Sequence, residues 1–262
     1  MFREEIPYVE VEPTYSKENW EIGFGLQAID GLKPSEYLVA LAEQQIAGKL
    51  TYTEVEENLQ KYYEASASFE DKMEADFSSM RIAAILSDVS FTFSPATLLG
   101  YHRKLFSGIE TFRYPVGEFR KLNMTKKEPV LGGASVSYTD YEVIKETLIW
   151  DFEQEKEKDY RGKTRKEMAH EVMAFISNIW QVHPFREGNT RTIAVFAIKY
   201  WRTFGFELNN EPFKHHAKYF RDSLVLANAD RLRQTDQYLR MFTEYALLGC
   251  RGELVMKEAG DV

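Results

Sequence analysis

Two helical patterns with a nine-residue polar joint between them constrain this chain more than any other feature. "TRKEMAHEVMAFISNIWQV" sets Met168, Val172, Phe175, Ile176 and Ile179 on one helical face, and Thr164 and Glu167 have capping-box spacing at its start. "TIAVFAIKYWRTFGF" is apolar nearly all round, the pattern of a helix at the centre of a core. "HPFREGNTR" joins them. The first helix is predicted to end near Val182 and the second to begin near Asn189 or Thr190.

The rest of the pattern is mostly helical as well. Ser35 reads as the cap of a helix that stops near Gly48, and Thr53 with Glu56 as a capping box for the next. Further helices are expected through "EADFSSMRIAAILSDV", after Ser94-Pro95, and after a Thr139/Glu142 box. "FRDSLVLANADRLRQTDQYLRMFTEYALLGC" closes the fold as helix, and residues 1–20 look irregular. The helical period fails between residues 107 and 138. There Pro129 and Gly132-Gly133 lie between short strand-like runs, which predicts a β-hairpin flap over Lys121–Tyr138. The expected class is therefore all-α with a small β-hairpin flap.

Bulk properties exclude some functions. A net charge of −8 argues against a nucleic-acid surface, and no apolar run is long enough to span a membrane. The one cysteine, Cys250, permits no intrachain disulfide, and the N-terminus lacks a signal-peptide core, so cytoplasmic residence is expected. His215-His216 point in different directions on a helix and read as surface residues, while His102 and His170 read as packing or capping residues.

The chemistry concentrates in the joint. The amides of Gly188, Asn189, Thr190 and Arg191 would lie at a helix N-terminus, where unpaired N–H groups and the helix dipole favour an anion. Gly188 permits a positive φ, and Arg191 adds a forked phosphate donor. Glu187 beside an anion is unfavourable unless a cation intervenes, and a magnesium ion bridging it to phosphate would resolve the conflict. His183 can accept a proton near neutral pH. Singly these residues have ordinary readings: a histidine before proline is a loop residue, and Gly-Asn is a turn. Their joint occurrence between two helices is the specific signal.

"HPFREGNTR" resembles the signature of Fic domain proteins, H-P-F-x-[D/E]-G-N-G-R-x-x-R. The resemblance covers roughly residues 75–250 and includes "SPATLLGYHRKLF…YPVGEFRKLN". It implies a helical protein adenylyltransferase that moves AMP from ATP to a target hydroxyl with Mg2+. It makes His183 the general base, Phe185 the loop's anchor in the core and Glu187 the metal ligand. Gly188, Asn189, Thr190 and Arg191 become the nucleotide-binding residues. A target protein would dock by strand addition at the flap, residues 121–138. The pattern is broken twice: its second glycine is Thr190 and its final arginine is Ala194. Alternatives are a Fic-fold enzyme using another nucleotide or phosphorylated donor, and a non-catalytic binding module.

Residues about 20–65 resemble the helical antitoxin of Fic systems, which implies an N-terminal segment over 1–70 set before a catalytic domain over 71–262. The inhibitory pattern [S/T]-x-x-x-E-[G/N] falls best on Leu26, Asp30 and Gly31, and a literal match at "TEVEEN" offers Glu57. With Ala194 offering no arginine to neutralise, these helices are expected to be mainly structural. A homodimer stays open, and Tyr8, Tyr15, Tyr52 and Tyr62 are candidate automodification sites.

Overall fold

The structure is a computed structural model that describes residues 14–65 and 70–256. Eleven α-helices and no strand occur among these residues. In order they are α1 (Thr14–Leu26), α2 (Glu36–Ile46), α3 (Tyr52–Glu64), α4 (Glu70–Ser87), α5 (Pro95–Phe106) and α6 (Ile144–Glu157). There follow α7 (Arg165–Val182), α8 (Asn189–Thr203), α9 (Glu211–His215), α10 (Ala217–Ala227) and α11 (Gln237–Leu248).

Helix α8 runs through the middle, with every residue from Asn189 to Trp201 buried. It packs against α4, α5 and α7. Phe196 joins Phe93, Phe152, Phe175 and Tyr200 in an aromatic cluster at its centre. The apolar pattern of 192–206 thus reports its position: a helix surrounded by others has no face to leave polar.

Helix α1 lies along α4 and also touches α9. Trp20, Ile22 and Leu26 are fully buried there. Gly25 allows the approach, because a Cβ at that position would run into the Phe213 carbonyl. A 3-10 turn over Gln27–Asp30 then packs on α8 and α10. The irregularity expected over residues 1–20 is corrected for 14–20, which are helical. Pro7, Pro13 and Tyr8 lie outside the described residues.

Several helix ends follow their sequence signals. Ser35 caps α2, Ser94 caps α5 with Pro95 in its first turn, and Thr164 with Glu167 forms the box on α7. Two boxes do not form where expected. On α3 the box is Thr51 with Glu54, because Glu56 is drawn to Arg81 at 2.7 Å. Before α6, Asp140 accepts from the Glu142 amide, while the Thr139 carbonyl is taken by Arg120. The closing helix is broken between α10 and α11, where Asn228 Nδ2 donates to the Leu224 carbonyl and to Ser177 Oγ on α7.

The β-hairpin expected over 121–138 is also corrected. The chain does double back, with the Glu128 amide donating to the Ala134 carbonyl and the Lys126 amide to Ser135 Oγ. No ladder forms. Pro129 brings no N–H, and a 3-10 turn over Pro129–Leu131 takes the tip. The buried Glu128 carboxylate pins the segment by accepting from Arg221 on α10 (2.6 Å) and from the Tyr138 hydroxyl (3.3 Å). Side chains, not strand pairing, shape this flap.

Candidate active site

The joint between α7 and α8 is shaped by three local devices. His183 takes a left-handed conformation (φ 50°) at the end of α7, a conformation that non-glycine residues enter only when their surroundings hold them there. Arg120 does much of that holding: its amide donates to the Pro184 carbonyl and its Nε to the His183 carbonyl, both at 2.8 Å. Asn189 closes the loop on itself, accepting from the Phe185 amide at 2.9 Å and donating to the Phe185 carbonyl at 2.8 Å. Phe185, fully buried, stacks on His102 with ring centroids 3.9 Å apart.

Gly188 begins α8 with φ 75°, and a Cβ there would lie 2.5 Å from the Phe106 ring. Both facts demand glycine. The amides of Asn189, Thr190 and Arg191 form the first turn, where a helix has no carbonyl of its own to offer them. Thr190, where the family pattern has glycine, accepts a hydrogen bond from Trp180 Nε1 at 2.9 Å and so ties the two helices together.

His183 is buried, and neither ring nitrogen has a hydrogen-bond partner. Tyr138 stacks on it at 4.1 Å, and Trp180 meets it edge-on. Burial above all, then the nearby cations Lys126 and Arg120, holds this imidazole well below its ordinary range. It is therefore neutral at pH 7 and has a lone pair to offer. An unpartnered buried polar group is costly, and such groups gather where chemistry needs them.

Glu187 does not stand alone. Lys126, from the flap, places Nζ 3.3 Å from each carboxylate oxygen, and the Gly188 amide donates to Oε1 at 3.1 Å. Its carbonyl takes a contact from His102 Nε2 at 3.1 Å, while His102 Nδ1 accepts from the Gly117 amide at 2.9 Å. Those partners fix His102 as the neutral Nε2-protonated form, and burial lowers its pKa to about 4. Sequence reasoning correctly assigned His102 to packing; its grip on the loop carbonyl needed the fold to bring Glu187 to it.

Arg191 is placed differently from a phosphate ligand. It is 1% exposed, and its Nη2 lies 2.6 Å from Glu74 on α4. Its Nη1 reaches Gln27 Oε1 at 3.1 Å, and its guanidinium sits over the Phe106 ring. Its Nε is 2.8 Å from Asp30 Oδ2, close enough for an ion pair although the N–H is not lined up with that oxygen. The fork is thus spent on α4 and the N-terminal segment, and only the backbone amide of Arg191 serves the helix N-terminus. Ala194, one turn on, is fully buried in the core.

Of the two candidate regulatory carboxylates, the structure brings Asp30 to the site and leaves Glu57 exposed on α3. Tyr52 and Tyr62 stack on Trp20 and Tyr37 in the N-terminal packing, and the side chain of Tyr15 lies outside the described residues. His215 is exposed and pairs with Glu211. Lys126, Tyr138 and Arg120 are the site residues that sequence reasoning missed. The flap was legible, but nothing in its pattern says which side chains turn toward the loop. Two clefts, of about 310 and 500 Å³, lie away from His183 and Glu187, which Tyr138 and Lys126 cover.

Fold and loop together define a helical domain with an unpartnered histidine, a carboxylate and a free helix N-terminus at one joint. Comparison supplies a likeness: residues 92–201 match the model of the Fic/DOC family. That family is known for transferring nucleotide or phosphate groups to proteins. Among solved structures, the chain is similar to the N-terminal Fic domain of a cell filamentation protein, a VirB-translocated Bep effector protein from Bartonella quintana. Identity is 18%, the match covers 72% of this chain and 83% of that one, and the TM-score is 0.45. No curated protein matches the chain. No described helix is long and apolar enough to cross a membrane.

Proposed function

We propose that this protein is an adenylyltransferase that moves AMP from ATP to a hydroxyl side chain of a target protein. The observation that carries the reading is His183, buried, neutral and without a partner on either ring nitrogen, beside the N-terminus of α8. The target hydroxyl oxygen attacks the α-phosphorus. The bond from that phosphorus to the pyrophosphate oxygen breaks, and the hydroxyl proton passes to His183. The helix N-terminus holds phosphate charge through the amides of Asn189, Thr190 and Arg191, with Gly188 allowing the close backbone approach. Tyr138 lies over the imidazole, so the target reaches it only when the segment 121–138 gives way. The same segment aligns the target chain, as a side-chain-braced loop in place of a strand.

Magnesium belongs to this reading through Glu187. Among the described residues no three His, Cys, Asp or Glu side chains gather around a common point. One carboxylate is a usual protein share for Mg2+, which completes its shell from phosphate oxygens and water. The donor set therefore suits a metal that arrives with the nucleotide. When bound, it neutralises phosphate charge beside Glu187.

Labelled α-phosphate ATP, incubated with the protein and cell extract, tests the mechanism. Wild type should label a target and His183→Ala should not; equal labelling by both sinks the assignment. A second reading, a diphosphate or other phosphorylated donor, is favoured by Arg191, whose fork is engaged with Glu74, Gln27 and Asp30. Thermal stabilisation by a diphosphate compound but not by ATP would select it. The N-terminal helices belong to the folded body in this reading, with Asp30 as a latch on Arg191 and not a removable inhibitor. What supports this is the burial of Trp20, Ile22 and Leu26.

A further inference from the structure

The charges around the loop raise a question that its signature does not answer. A nucleotide brings several negative charges to the start of α8, yet the arginine of the first turn is committed elsewhere and position 194 is alanine. Some other cation is needed if the phosphates are to be held by more than amides.

Lys126 fits that need. Its Nζ is equidistant, at 3.3 Å, from both oxygens of Glu187. That is longer than the roughly 2.7–2.9 Å of a firm charge-assisted hydrogen bond. The ammonium straddles the carboxylate loosely. Oxygen Oε1 of the same carboxylate accepts from the Gly188 amide, so lysine, carboxylate and the head of α8 are contiguous. The backbone around Lys126 is fixed by Ser135 and, two residues on, by the Glu128–Arg221 pair. Its side chain keeps four rotatable bonds and is partly exposed. A flexible cation on a fixed base can change partners at little cost. Arg186 is the neighbouring alternative, but among the described residues it makes no ion pair or hydrogen bond that would place it on the Glu187 carboxylate, whereas Lys126 does.

We infer that Lys126 is the phosphate-holding cation of this site, and that it is held on Glu187 until a divalent cation takes its place. Glu187 can serve one cation at a time at full strength. In the nucleotide-free protein the ammonium neutralises it. When the carboxylate turns to a metal, Lys126 is released beside the helix N-terminus and pairs with the donor's phosphates. Metal and nucleotide binding are then coupled through one lysine that belongs to the target-aligning flap. Donor phosphates and flap position are read together.

This inference rests on the nucleotide-transfer reading, and the test separates the two. Calorimetry on the full chain measures ATP binding at saturating Mg2+ for wild type, Lys126→Met, Lys126→Arg and Arg186→Gln. Electron paramagnetic resonance measures Mn2+ binding without nucleotide. Lys126→Met should weaken ATP by about tenfold or more, the loss of one hydrogen bond to a charged group. Lys126→Arg should stay within about threefold of wild type, since the charge and its reach are kept. Lys126→Met should also bind Mn2+ alone more tightly, because the ammonium no longer competes for Glu187. Unchanged ATP affinity in Lys126→Met, a loss confined to Arg186→Gln, or unchanged or weaker Mn2+ binding each overturns the inference while leaving transfer intact. Absence of ATP binding by wild type removes the underlying reading and this one together. Thermal melts of each variant confirm that the fold is retained.

Discussion

Arg191→Met removes the charge at the centre of the N-terminal latch while keeping a long apolar side chain. Arg191 is 1% exposed and meets Glu74 at 2.6 Å, Asp30 at 2.8 Å and Gln27 at 3.1 Å. Removing one partner of a buried pair costs about 3–5 kcal/mol. Here both carboxylates keep a route to water, with side-chain exposures of 18% for Glu74 and 30% for Asp30. That access lowers the expected loss to about 2–3 kcal/mol. Guanidinium denaturation of the full chain should show the midpoint falling without a change in slope. Asp30→Asn alone should cost less, about 1 kcal/mol, because Glu74 still holds the arginine. The double variant should show coupling of about 0.5–1 kcal/mol between the two positions. A loss under about 0.5 kcal/mol in Arg191→Met would refute the claim that this arginine is structural. Strict additivity of the two changes would refute the latch to Asp30.

Four further outcomes follow from the geometry. Gly188→Ala should destabilise the protein by about 2–5 kcal/mol, from the left-handed backbone and the displaced Phe106 ring, read by thermal or chemical melts. For His102 the folded pKa of about 4 lies below its ordinary 6.5, so the unfolded chain binds the extra proton and stability falls as pH drops through that window. The loss approaches about 3 kcal/mol near pH 4, and the wild-type pH profile minus that of His102→Gln should isolate it. His183 should stay neutral well below pH 6.5, so the acid limb of kcat/KM, measured on the labelling reaction, should lie below an ordinary histidine's. Deletion of residues 1–65 should give an unfolded or aggregated product by circular dichroism, because it uncovers the α4 face that Trp20, Ile22, Val55 and Leu59 bury. A well-folded truncation with a large gain in automodification would overturn the structural role of α1–α3.

Local chemistry was readable before any fold was known. Ser35, Ser94 and Thr164 sit at helix starts because their oxygens satisfy amides a few residues away, a distance the chain itself sets. The end of α7 at Val182 and the start of α8 at Asn189 were legible from the break in the apolar pattern between them, as was the burial of 192–201. The amides without intrahelical partners at the head of α8 also follow from position alone, since any helix start leaves its first amides free.

What the tertiary structure decided is which groups meet across the chain. Glu56 prefers Arg81 to a capping box, and the flap is braced by Glu128 and Arg221 instead of a strand ladder. Arg191 looked like a phosphate ligand from its place in the loop. Packing of α1 and α4 against α8 instead surrounds it with Glu74, Gln27 and Asp30. Lys126 and Tyr138, ordinary residues in an irregular stretch, come to lie on Glu187 and His183. Hydrogen bonds within one turn depend on local spacing, which a sequence carries. A charge chooses its partner from whatever the whole fold brings within a few ångströms, and only the fold settles that.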